Sequence, residues 1–444
     1  MTPLDTLGLE SLASRWRRAP VERRSGRVVS VHGTLVTADL PGARVGEVVQ
    51  IAGAGPAETV GFRERQALLM PFGNIEGVHH GARVDSSGEM PVAWVGDLLK
   101  GRVIDGLGQP LDGKGPVPGL KARPLNAAPP DALARALVRD ALPTGVRVID
   151  GLLTFGRGQR VGLMAGSGVG KSTLMGMIAR RSAAAVNVIA LIGERGREVR
   201  EFLEDVLGPE GLRRSVVVVV TSDKSPVLQL RGAFLAMTIA EHFRDQGADV
   251  MMMVDSVTRL AMAQRQIGLA VGEPPTTRGY TPSCFALLPR LLERAGPADR
   301  GSITALYTVL VEGDDVEADP VGDAVRGIVD GHVVLSRRIA AEGRFPAVDV
   351  LTSISRVQQV VVTPRHYEQS RKVRAVLAAW AQNEELVRLG AYKPGSSPVV
   401  DDAIARVPRI HGWLSQPVEE ATPFEAVTLG LGQLAGDNSP ELKC

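Results

Sequence analysis

The stretch that decides the fold is AGSGVGKST, residues 165–173. The apolar run QRVGLMA precedes it, and a segment with helical periodicity follows it. The pattern G-x-x-x-x-G-K-[ST] between a strand and a helix is typical of a loop whose backbone N–H groups bind phosphate oxygens. Ala165 replaces the first glycine of that pattern, and a single methyl group there is expected to be tolerated.

The loop residues form the predicted nucleotide-binding set. Glycines let backbone N–H groups converge on phosphate, and the N-terminus of the helix adds partial positive charge. Lys171 is predicted to reach the β- and γ-phosphates, and Ser172 is predicted to place its hydroxyl on Mg²⁺. The alternative is a plain glycine turn, and the Lys-Ser pair argues against it. The full set is Gly166, Ser167, Gly168, Val169, Gly170, Lys171, Ser172 and Thr173.

Two acidic residues end apolar strands in the same part of the chain. Asp255 ends VMMMVD and is predicted to hold Mg²⁺ through its bound water; the alternative, a cap for the following helix, is compatible with that role. Glu194, in LIGERGRE, ends the strand after the helix of the loop. Because Ser256 and not a glutamate follows Asp255, Glu194 is predicted to polarise the attacking water. The alternative is a strand-end carboxylate in water.

Two arginines accompany these acids in sequence. Arg195 follows Glu194, and Arg259 lies shortly after Asp255. Either can contact the γ-phosphate or hold the carboxylates in place, and an ordinary ion pair is an equal alternative for Arg259. Arg195 is therefore included with Lys171 and Glu194 among the candidate catalytic residues.

The segments around the loop predict the rest of the fold. From about residue 145, long apolar strands alternate with helices, which indicates a parallel sheet covered on both faces. Short β-branched runs from about residue 22 to 86 predict a small β-barrel, and the pattern after about 365 is helical. The Gly/Pro-rich residues 95–119 are interpreted as a linker. The expected α/β architecture has parts at 1–20 (helix), 21–95 (barrel), 96–365 (nucleotide binding) and 366–444 (helical).

Composition excludes several classes of protein. The 444 residues carry 51 Lys+Arg against 49 Asp+Glu, which argues against a chain that holds nucleic acid by bulk charge. The two cysteines, Cys284 and Cys444, exclude a disulfide framework and favour a reducing cytoplasm. The N-terminus lacks the apolar core of a secretory signal, and no apolar run approaches the roughly 18 residues of a membrane span. We expect a soluble protein whose membrane contact is peripheral.

The first residues predict a short amphipathic helix. Leu9, Leu12 and Trp16 share one helical face, with arginines beside them. The helix either packs on its own domain or docks onto a partner or an acidic membrane surface.

A second candidate element lies at PAVDVLTSISRV, residues 346–357. Three hydroxyl side chains precede Arg356 there. A positioned guanidinium that meets γ-phosphate charge in the transition state contributes roughly 10³ to 10⁵ in rate. The alternative, a surface arginine at the end of a strand, is the better prediction from composition alone.

The PAVD…SIS pattern resembles the signature of the rotary and export ATPases, which include the F-type α and β subunits. IGERGRE, AGSGVGKST and GEPPTTRGYTPS strengthen the resemblance, which covers nearly the whole chain. It implies a RecA-like ATP-binding domain, with Arg356 reaching the nucleotide of the neighbouring subunit in a ring. It also implies that Phe345 stacks on adenine; the alternative for Phe345 is a core position.

Within that family, the chain resembles the protein-export ATPases. Lys171, Glu194 and Arg356 occur together, so one chain carries both halves of an active interface. VEGDD and GAYKPGS resemble the flagellar export ATPase and its injectisome relatives, with the flagellar type slightly favoured. The resemblance implies a Mg²⁺-dependent ATP hydrolase that forms a homohexamer on the cytoplasmic face of the membrane and energises type III protein export.

The same resemblance implies a set of partners. A stator-like regulator would bind the N-terminal helix, and a coiled-coil stalk would enter the pore. The export gate and chaperone–substrate complexes would meet the C-terminal helices. The acidic loop at residues 312–319 is a candidate stalk contact, with simple solvation as the alternative.

Four other functions stay open at this point. Besides an injectisome ATPase, these are a catalytic subunit of a rotary ATP synthase, a hexameric RNA helicase and a nucleotide-binding scaffold with an inactive site. An ATP synthase subunit would need an α-like partner. A helicase would need stacking aromatics in the barrel, and VHGTLVTADLPGARVGEVVQI contains none. No nucleic-acid partner is therefore expected.

Overall fold

The computed structural model describes residues 24–86, 88–131, 133, 135–311 and 319–437. The predicted N-terminal helix, Cys444 and nearly all of the acidic loop lie outside these ranges. The described residues form a barrel, a central sheet with helices on its faces, and a C-terminal group of helices. The predicted fold class is confirmed.

The barrel is closed by six antiparallel strands in the order β1-β2-β5-β4-β3-β6. Its core consists mainly of alanine and β-branched side chains, including Val36, Val49 and Val84, which suit a narrow interior. The strands are β1 (Arg24–His32), β2 (Leu35–Asp39), β3 (Val48–Ile51), β4 (Gly55–Arg63), β5 (Gln66–Pro71) and β6 (Arg83–Ser86).

The central sheet has the order β17-β16-β10-β15-β13-β11-β12-β8, with β14 paired to β15. Its inner strands run parallel, and every residue of β11 and β12 is buried because helices cover both faces. The ribbon formed by β7 (Val92–Val95) and β9 (Lys121–Pro124) lies apart from the sheet. The sheet strands are β8 (Arg102–Asp105), β10 (Arg160–Ala165), β11 (Val186–Ile192), β12 (Ser215–Val220), β13 (Asp249–Asp255), β14 (Gly296–Pro297), β15 (Ser302–Leu310), β16 (Gly331–Leu335) and β17 (Ile354–Ser355).

Most helices between the strands are short, and proline at the first position starts several of them. A π-helical segment, Phe202–Leu207, joins α3 to α4. The helices are α1 (Arg147–Leu152), α2 (Lys171–Arg181), α3 (Gly196–Glu201), α4 (Gly208–Arg213), α5 (Pro226–Asp245), α6 (Val257–Val271), α7 (Pro282–Leu292), α8 (Pro320–Ile328), α9 (Arg337–Ala341) and α10 (Gln358–Val361).

The C-terminal group consists of α11 (Pro364–Arg388), α12 (Pro398–Leu414) and α13 (Phe424–Leu434). Val373 and Ile410 of this group share one hydrophobic core with Ile149 of α1. A second core contains apolar residues of both the barrel and the central sheet. Because these two cores cross them, the domain boundaries placed at 95/96 and 365/366 stay predictions, and the boundary at 20/21 lies outside the described residues.

The interpretation of residues 95–119 as a linker is wrong in part. Arg102–Asp105 form β8, which pairs with β12 at the edge of the central sheet. Asp112 accepts two hydrogen bonds from the Arg102 guanidinium, at 2.7 and 3.0 Å, and closes the loop that follows β8. Only Val103 and Ile104 of this strand are buried, so the sequence offers too short an apolar run to indicate a strand among so many glycines.

The topology places the predicted site residues at opposite ends of the strands of the sheet. The loop follows the carboxyl end of β10, Asp255 ends β13, and Glu194 lies just beyond β11. Carboxyl ends of parallel strands meet at one edge, where open α/β sheets bind ligands. Arg356 follows β17, which runs antiparallel to the start of β16.

None of the helices in the described ranges is both long enough and apolar enough to cross a bilayer.

Candidate nucleotide site

The backbone of the glycine loop is shaped to receive an anion. β10 ends at Ala165 and α2 begins at Lys171. Gly168 has a φ of 79° and Gly170 has a φ of 90°, a left-handed conformation that L side chains rarely adopt. A Cβ at Gly168 would meet nothing within 4 Å. The loop therefore leaves its backbone open beside the N-terminus of α2, where N–H groups and the helix dipole favour phosphate.

Three charged groups meet at this edge of the sheet. Lys171 Nζ contacts Asp255 Oδ1 and lies 3.6 Å from Glu194 Oε1. Thr308 donates a hydrogen bond of 2.7 Å to Asp255 Oδ1. Asp255 is 3% exposed and Glu194 is 7% exposed. The structure thus brings together the lysine and both acids that the sequence predicts.

Glu194 has an altered proton affinity. Burial raises the pKa of Glu194 to about 7, the charge of Lys171 opposes that rise, and the charge of Asp255 adds to it. Its Oε1 is buried and has no hydrogen-bond partner within the part of the chain that the structure describes. A buried carboxylate with a free lone pair and a pKa near neutrality can accept a proton from water.

Asp255 does not cap the helix that follows it. Ser256 is the N-cap of α6, and its Oγ accepts a hydrogen bond of 3.3 Å from the backbone N–H of Arg259. The cap is thus supplied by Ser256, and the Asp255 carboxylate at the end of β13 faces Lys171.

The donor set suits a magnesium ion that is bound together with phosphate. Ser172 and Asp255 line the same cleft and supply hard oxygen donors. Among the described residues there is no group of three or more His, Cys, Asp or Glu side chains that could cage a metal. Mg²⁺ in phosphoryl-transfer sites is held by one or two such protein oxygens plus substrate phosphates and water. The residues present therefore fit Mg²⁺.

The two arginines beside the acids differ in their surroundings. The side chain of Arg195 is 75% exposed and pairs with Glu198 at 3.6 Å. Arg259 is half-buried, packs against Gly193, and lowers the pKa of Glu194 through its charge. Both line the cleft, but only Arg259 influences the predicted base electrostatically.

Phe345 lies beside the glycine loop. A Cβ on Gly170 would be 3.8 Å from a ring carbon of Phe345, and the residue is 46% exposed. Its carbonyl accepts a hydrogen bond of 2.8 Å from the backbone of Gln416. Phe345 is thus an exposed aromatic at the mouth of the site and is not a core residue.

Among the predicted site residues, Arg356 lies far from the glycine loop of its own chain. Its backbone N–H donates to the carbonyl of Asp330 at 3.0 Å, at the amino end of β16, and its side chain is exposed. β16 pairs in parallel with β10, so the glycine loop lies at the other end of both strands. Five residue steps of about 3.3 Å each, from Asp330 to Leu335, place the backbone of Arg356 about 16 Å along the strands from Ala165, where the loop begins. Arg356 therefore does not reach the nucleotide site of its own chain.

Arg337 is a cation at this site that no sequence pattern indicates. A Cβ on Gly166 would lie 2.9 Å from Nε of Arg337, so the guanidinium packs directly on the glycine loop. Arg337 takes part in no ion pair with any residue that the structure describes. The position of Arg337, just past the carboxyl end of β16 beside β10, is the signal that would have found it.

The glycine loop, Lys171, the two acids and Arg337 line one open cleft of about 900 Å³. Pockets of about 300–1,000 Å³ accommodate ligands of nucleotide size. The cleft combines a loop backbone that can bind phosphate, a lysine, oxygen donors for a metal, and a carboxylate whose pKa is raised.

Comparisons with known proteins agree with this site. Residues 145–355 match the nucleotide-binding domain of the ATP synthase alpha/beta family, and residues 362–433 match the T3SS EscN ATPase C-terminal domain. The flagellum-specific ATP synthase of Bacillus subtilis (strain 168) is 50% identical over 421 residues, covering 94% of this chain and 96% of that protein. The type 3 secretion system ATPase of Xanthomonas euvesicatoria is 50% identical over 410 residues, covering 91% and 92%.

Solved structures give the same result. The assembled ATPase EscN from the type III secretion system of enteropathogenic E. coli superposes with a TM-score of 0.87 at 44% identity, covering 92% of this chain and 100% of that chain. EscN in complex with its central stalk EscO gives a TM-score of 0.86 at 44% identity, with the same coverage.

Proposed function

This chain belongs to the ATP synthase alpha/beta family, in the branch of flagellum-specific ATP synthases and type 3 secretion system ATPases, and we propose that it hydrolyses ATP with Mg²⁺ to drive type III protein export. The observation that carries this proposal is the contact of Lys171 with Asp255 beside Glu194, next to a loop whose backbone is shaped to bind an anion. A scaffold with an inactive site would have no need for a buried carboxylate whose pKa is raised to about 7.

The proposed binding roles follow from the geometry. Backbone N–H groups of Gly166, Ser167, Gly168, Val169 and Gly170 bind the phosphates, with Thr173 at the start of α2 beside them. Lys171 exchanges its carboxylate partners for phosphate oxygens. Ser172 and, through bound water, Asp255 would hold Mg²⁺, which when bound would neutralise phosphate charge and orient the nucleotide.

Glu194 is the proposed base. In its ionised form it accepts a proton from the attacking water, and burial raises its pKa to about 7, close to neutral pH. Arg195 remains in the proposed catalytic set because it lines the cleft, although its pairing with Glu198 must break before it can contact phosphate.

Phe345 is the proposed adenine platform. Its exposed ring beside Gly170 offers an apolar face to a base whose phosphates lie on the loop.

Arg356 is proposed to act on the site of the neighbouring subunit. The distance of Arg356 from the glycine loop of its own chain and its exposed guanidinium support this role. EscN, which is similar to this chain, has been solved as an assembly. A homohexameric ring supplies each loop with an arginine from the next chain, because cyclic interfaces join two different faces of the same protein. The arginine then meets the charge that develops on the γ-phosphate.

Flagellar export is the proposed cellular process, and the flagellar relative from Bacillus subtilis supports it. Injectisome export is the second candidate, which the match to the EscN C-terminal domain and the equal identity to the Xanthomonas protein favour. The proposed setting is the cytoplasmic face of the membrane. The proposed partners are a central stalk, as the EscN–EscO complex suggests, a stator-like regulator, the export gate and chaperone–substrate complexes, with no nucleic acid.

The first test is phosphate release from ATP by the purified chain. We expect Mg²⁺-dependent hydrolysis without RNA and without any second subunit type, and almost none from Lys171→Ala. Hydrolysis that appears only with RNA would support the helicase alternative. Hydrolysis that requires an α-like partner would support the ATP synthase alternative. Expression in cells that lack either their flagellar or their injectisome ATPase then separates the two export processes.

A further inference from the structure

Arg356 combines a free side chain with a firmly held backbone. Its guanidinium is exposed and pairs with no carboxylate in the described part of the chain. Its N–H donates to Asp330 O at 3.0 Å, and the hydroxyl of the preceding Ser355 donates to Thr154 O at 2.9 Å. β17, which carries these residues, is only two residues long. Such a short strand needs additional contacts to hold one position.

Gln159 supplies those contacts. It is 0% exposed, and its amide Nε2 donates to Asp330 O at 3.1 Å and to Ser355 Oγ at 3.2 Å. Its Oε1 accepts a hydrogen bond of 2.9 Å from Gly156 N. One amide thus binds both the carbonyl that accepts from Arg356 and the hydroxyl next to it. No other described side chain donates a hydrogen bond to both of these groups.

The same contacts attach Arg356 to the strand of the glycine loop. Gln159 immediately precedes β10. Arg160, the first residue of β10, binds the Asp330 carboxylate through Nε and Nη2 at 3.1 Å each, and through its backbone N–H at 3.1 Å. One strand therefore carries the glycine loop at its carboxyl end and the support of Arg356 at its amino end.

We propose that Gln159 is a positioning residue for Arg356, and hence for hydrolysis in the neighbouring subunit. The inference rests on the proposed action of Arg356 across the subunit interface. A guanidinium contributes to the transition state only where it meets the developing charge, and a misplacement of 1 Å costs about 10²-fold in rate. Loss of the Gln159 amide removes its hydrogen bonds to the Asp330 carbonyl and the Ser355 hydroxyl, whereas the glycine loop at the other end of β10 keeps its contacts.

The experiment assigns Gln159 to one of two classes by subunit mixing. Two reference variants define the classes: Lys171→Ala damages the site of its own chain, and Arg356→Ala damages the site of the neighbour. Gln159→Leu alone is expected to lower kcat about 10²-fold, with unchanged affinity for a fluorescent ATP analogue. Mixed with Lys171→Ala it should regain activity, and mixed with Arg356→Ala it should not.

Two further variants keep the test informative. Gln159→Glu retains the size of the side chain but turns the donor toward Asp330 into an acceptor, so it should behave as Gln159→Leu does even if the leucine variant folds poorly. Gln246→Leu is the matched control, since the Gln246 side chain is exposed and hydrogen-bonds to Asp97 and His242, neither of which lines the nucleotide cleft. Its hydrolysis should equal that of the unmodified chain.

The possible failures are distinguishable. If Lys171→Ala and Arg356→Ala do not restore each other, the shared site is wrong and this inference is wrong with it. If that pair restores activity but the Gln159 variants regain activity with Arg356→Ala, weaken ATP binding, or hydrolyse ATP at the full rate, only the positioning role is overturned.

Discussion

Lys171 Nζ lies 3.6 Å from Glu194 Oε1 while it also contacts Asp255. Phosphate and the two carboxylates therefore compete for one cation. In the proposed mechanism, phosphate takes Lys171 and leaves the two carboxylates beside the γ-phosphate, where a metal ligand and a base are needed. The arrangement links binding of the nucleotide to preparation of the site.

The pH dependence of hydrolysis should report Glu194. Burial raises its pKa to about 7 from an ordinary 4.5, so the ionised base forms as the pH rises through about 7. We expect kcat/KM to rise over that range, and Glu194→Gln to lose roughly 10²- to 10⁴-fold in rate. A flat profile between pH 6 and 8 in the unmodified chain would contradict the assignment.

The same group affects stability with a defined sign. Because the folded-state pKa of Glu194 is raised, its protonated form favours the fold below pH 4.5, and that contribution is lost as the pH rises to about 7. In the nucleotide-free protein, Glu194→Gln should reduce the fall in melting temperature between pH 5 and 8. Glu194→Gln melting curves that fall as steeply as those of the unmodified chain would place the effect elsewhere.

Loss of the Phe345 ring should weaken ATP binding. Stacking of a base on an aromatic side chain contributes about 1–3 kcal/mol, so Phe345→Ala should bind ATP at least about fivefold more weakly. Phe345→Tyr should bind normally. Phe62→Ala is the control, since Phe62 on β4 is also 46% exposed. Titration with a fluorescent nucleotide measures all three, and equal affinity for Phe345→Ala would remove Phe345 from the site.

A methyl group on Gly166 should collide with Arg337. The added Cβ would lie 2.9 Å from Nε, and overpacking of this kind costs about 1–3 kcal/mol. We expect Gly166→Ala to raise KM for ATP about tenfold, and the double variant with Arg337→Ala to be no worse than Arg337→Ala alone. Gly327→Ala on α8 is the control, because its Cβ would meet nothing. Additive effects in the double variant would show that the two residues act independently.

A buried ion pair should hold α5 to the end of α7. Arg294 is 0% exposed and donates to Glu241 at 2.8 and 2.6 Å, to Leu125 O at 2.9 Å and to Thr238 at 3.0 Å. Arg294→Met leaves Glu241 buried without its partner and should cost about 3–5 kcal/mol of unfolding free energy. The double variant with Glu241→Met should cost less than the single variant, as urea denaturation would show; a larger loss would contradict the pairing.

Much of the fold was predictable because the decisive patterns are local. Continuous apolar runs such as that of β12 indicate a buried parallel strand, and short β-branched runs indicate the barrel. The sequence does not indicate β8, because this strand at the side of the sheet has only two buried side chains, Val103 and Ile104. The π-helical Phe202–Leu207 was also missed, since no periodicity distinguishes one widened turn from an α-helix.

The residues of the candidate site show the same difference between local sequence patterns and long-range contacts. Lys171, Asp255 and Glu194 were predictable because strand ends and a loop pattern identify them. Arg337 and Gln159 were not, because their importance arises from contacts with residues far along the chain, the Gly166 backbone and the Asp330 carbonyl. Such contacts become visible only once β10 and β16 lie side by side.

The most direct test of the shared site mixes Lys171→Ala with Arg356→Ala and measures ATP hydrolysis. Each variant alone should be nearly inactive. In rings mixed at equal amounts, about a quarter of the interfaces join an intact Lys171 to an intact Arg356, so about a quarter of the activity should return. If differently tagged variants co-purify in one ring and no activity returns, Arg356 does not complete the site of its neighbour.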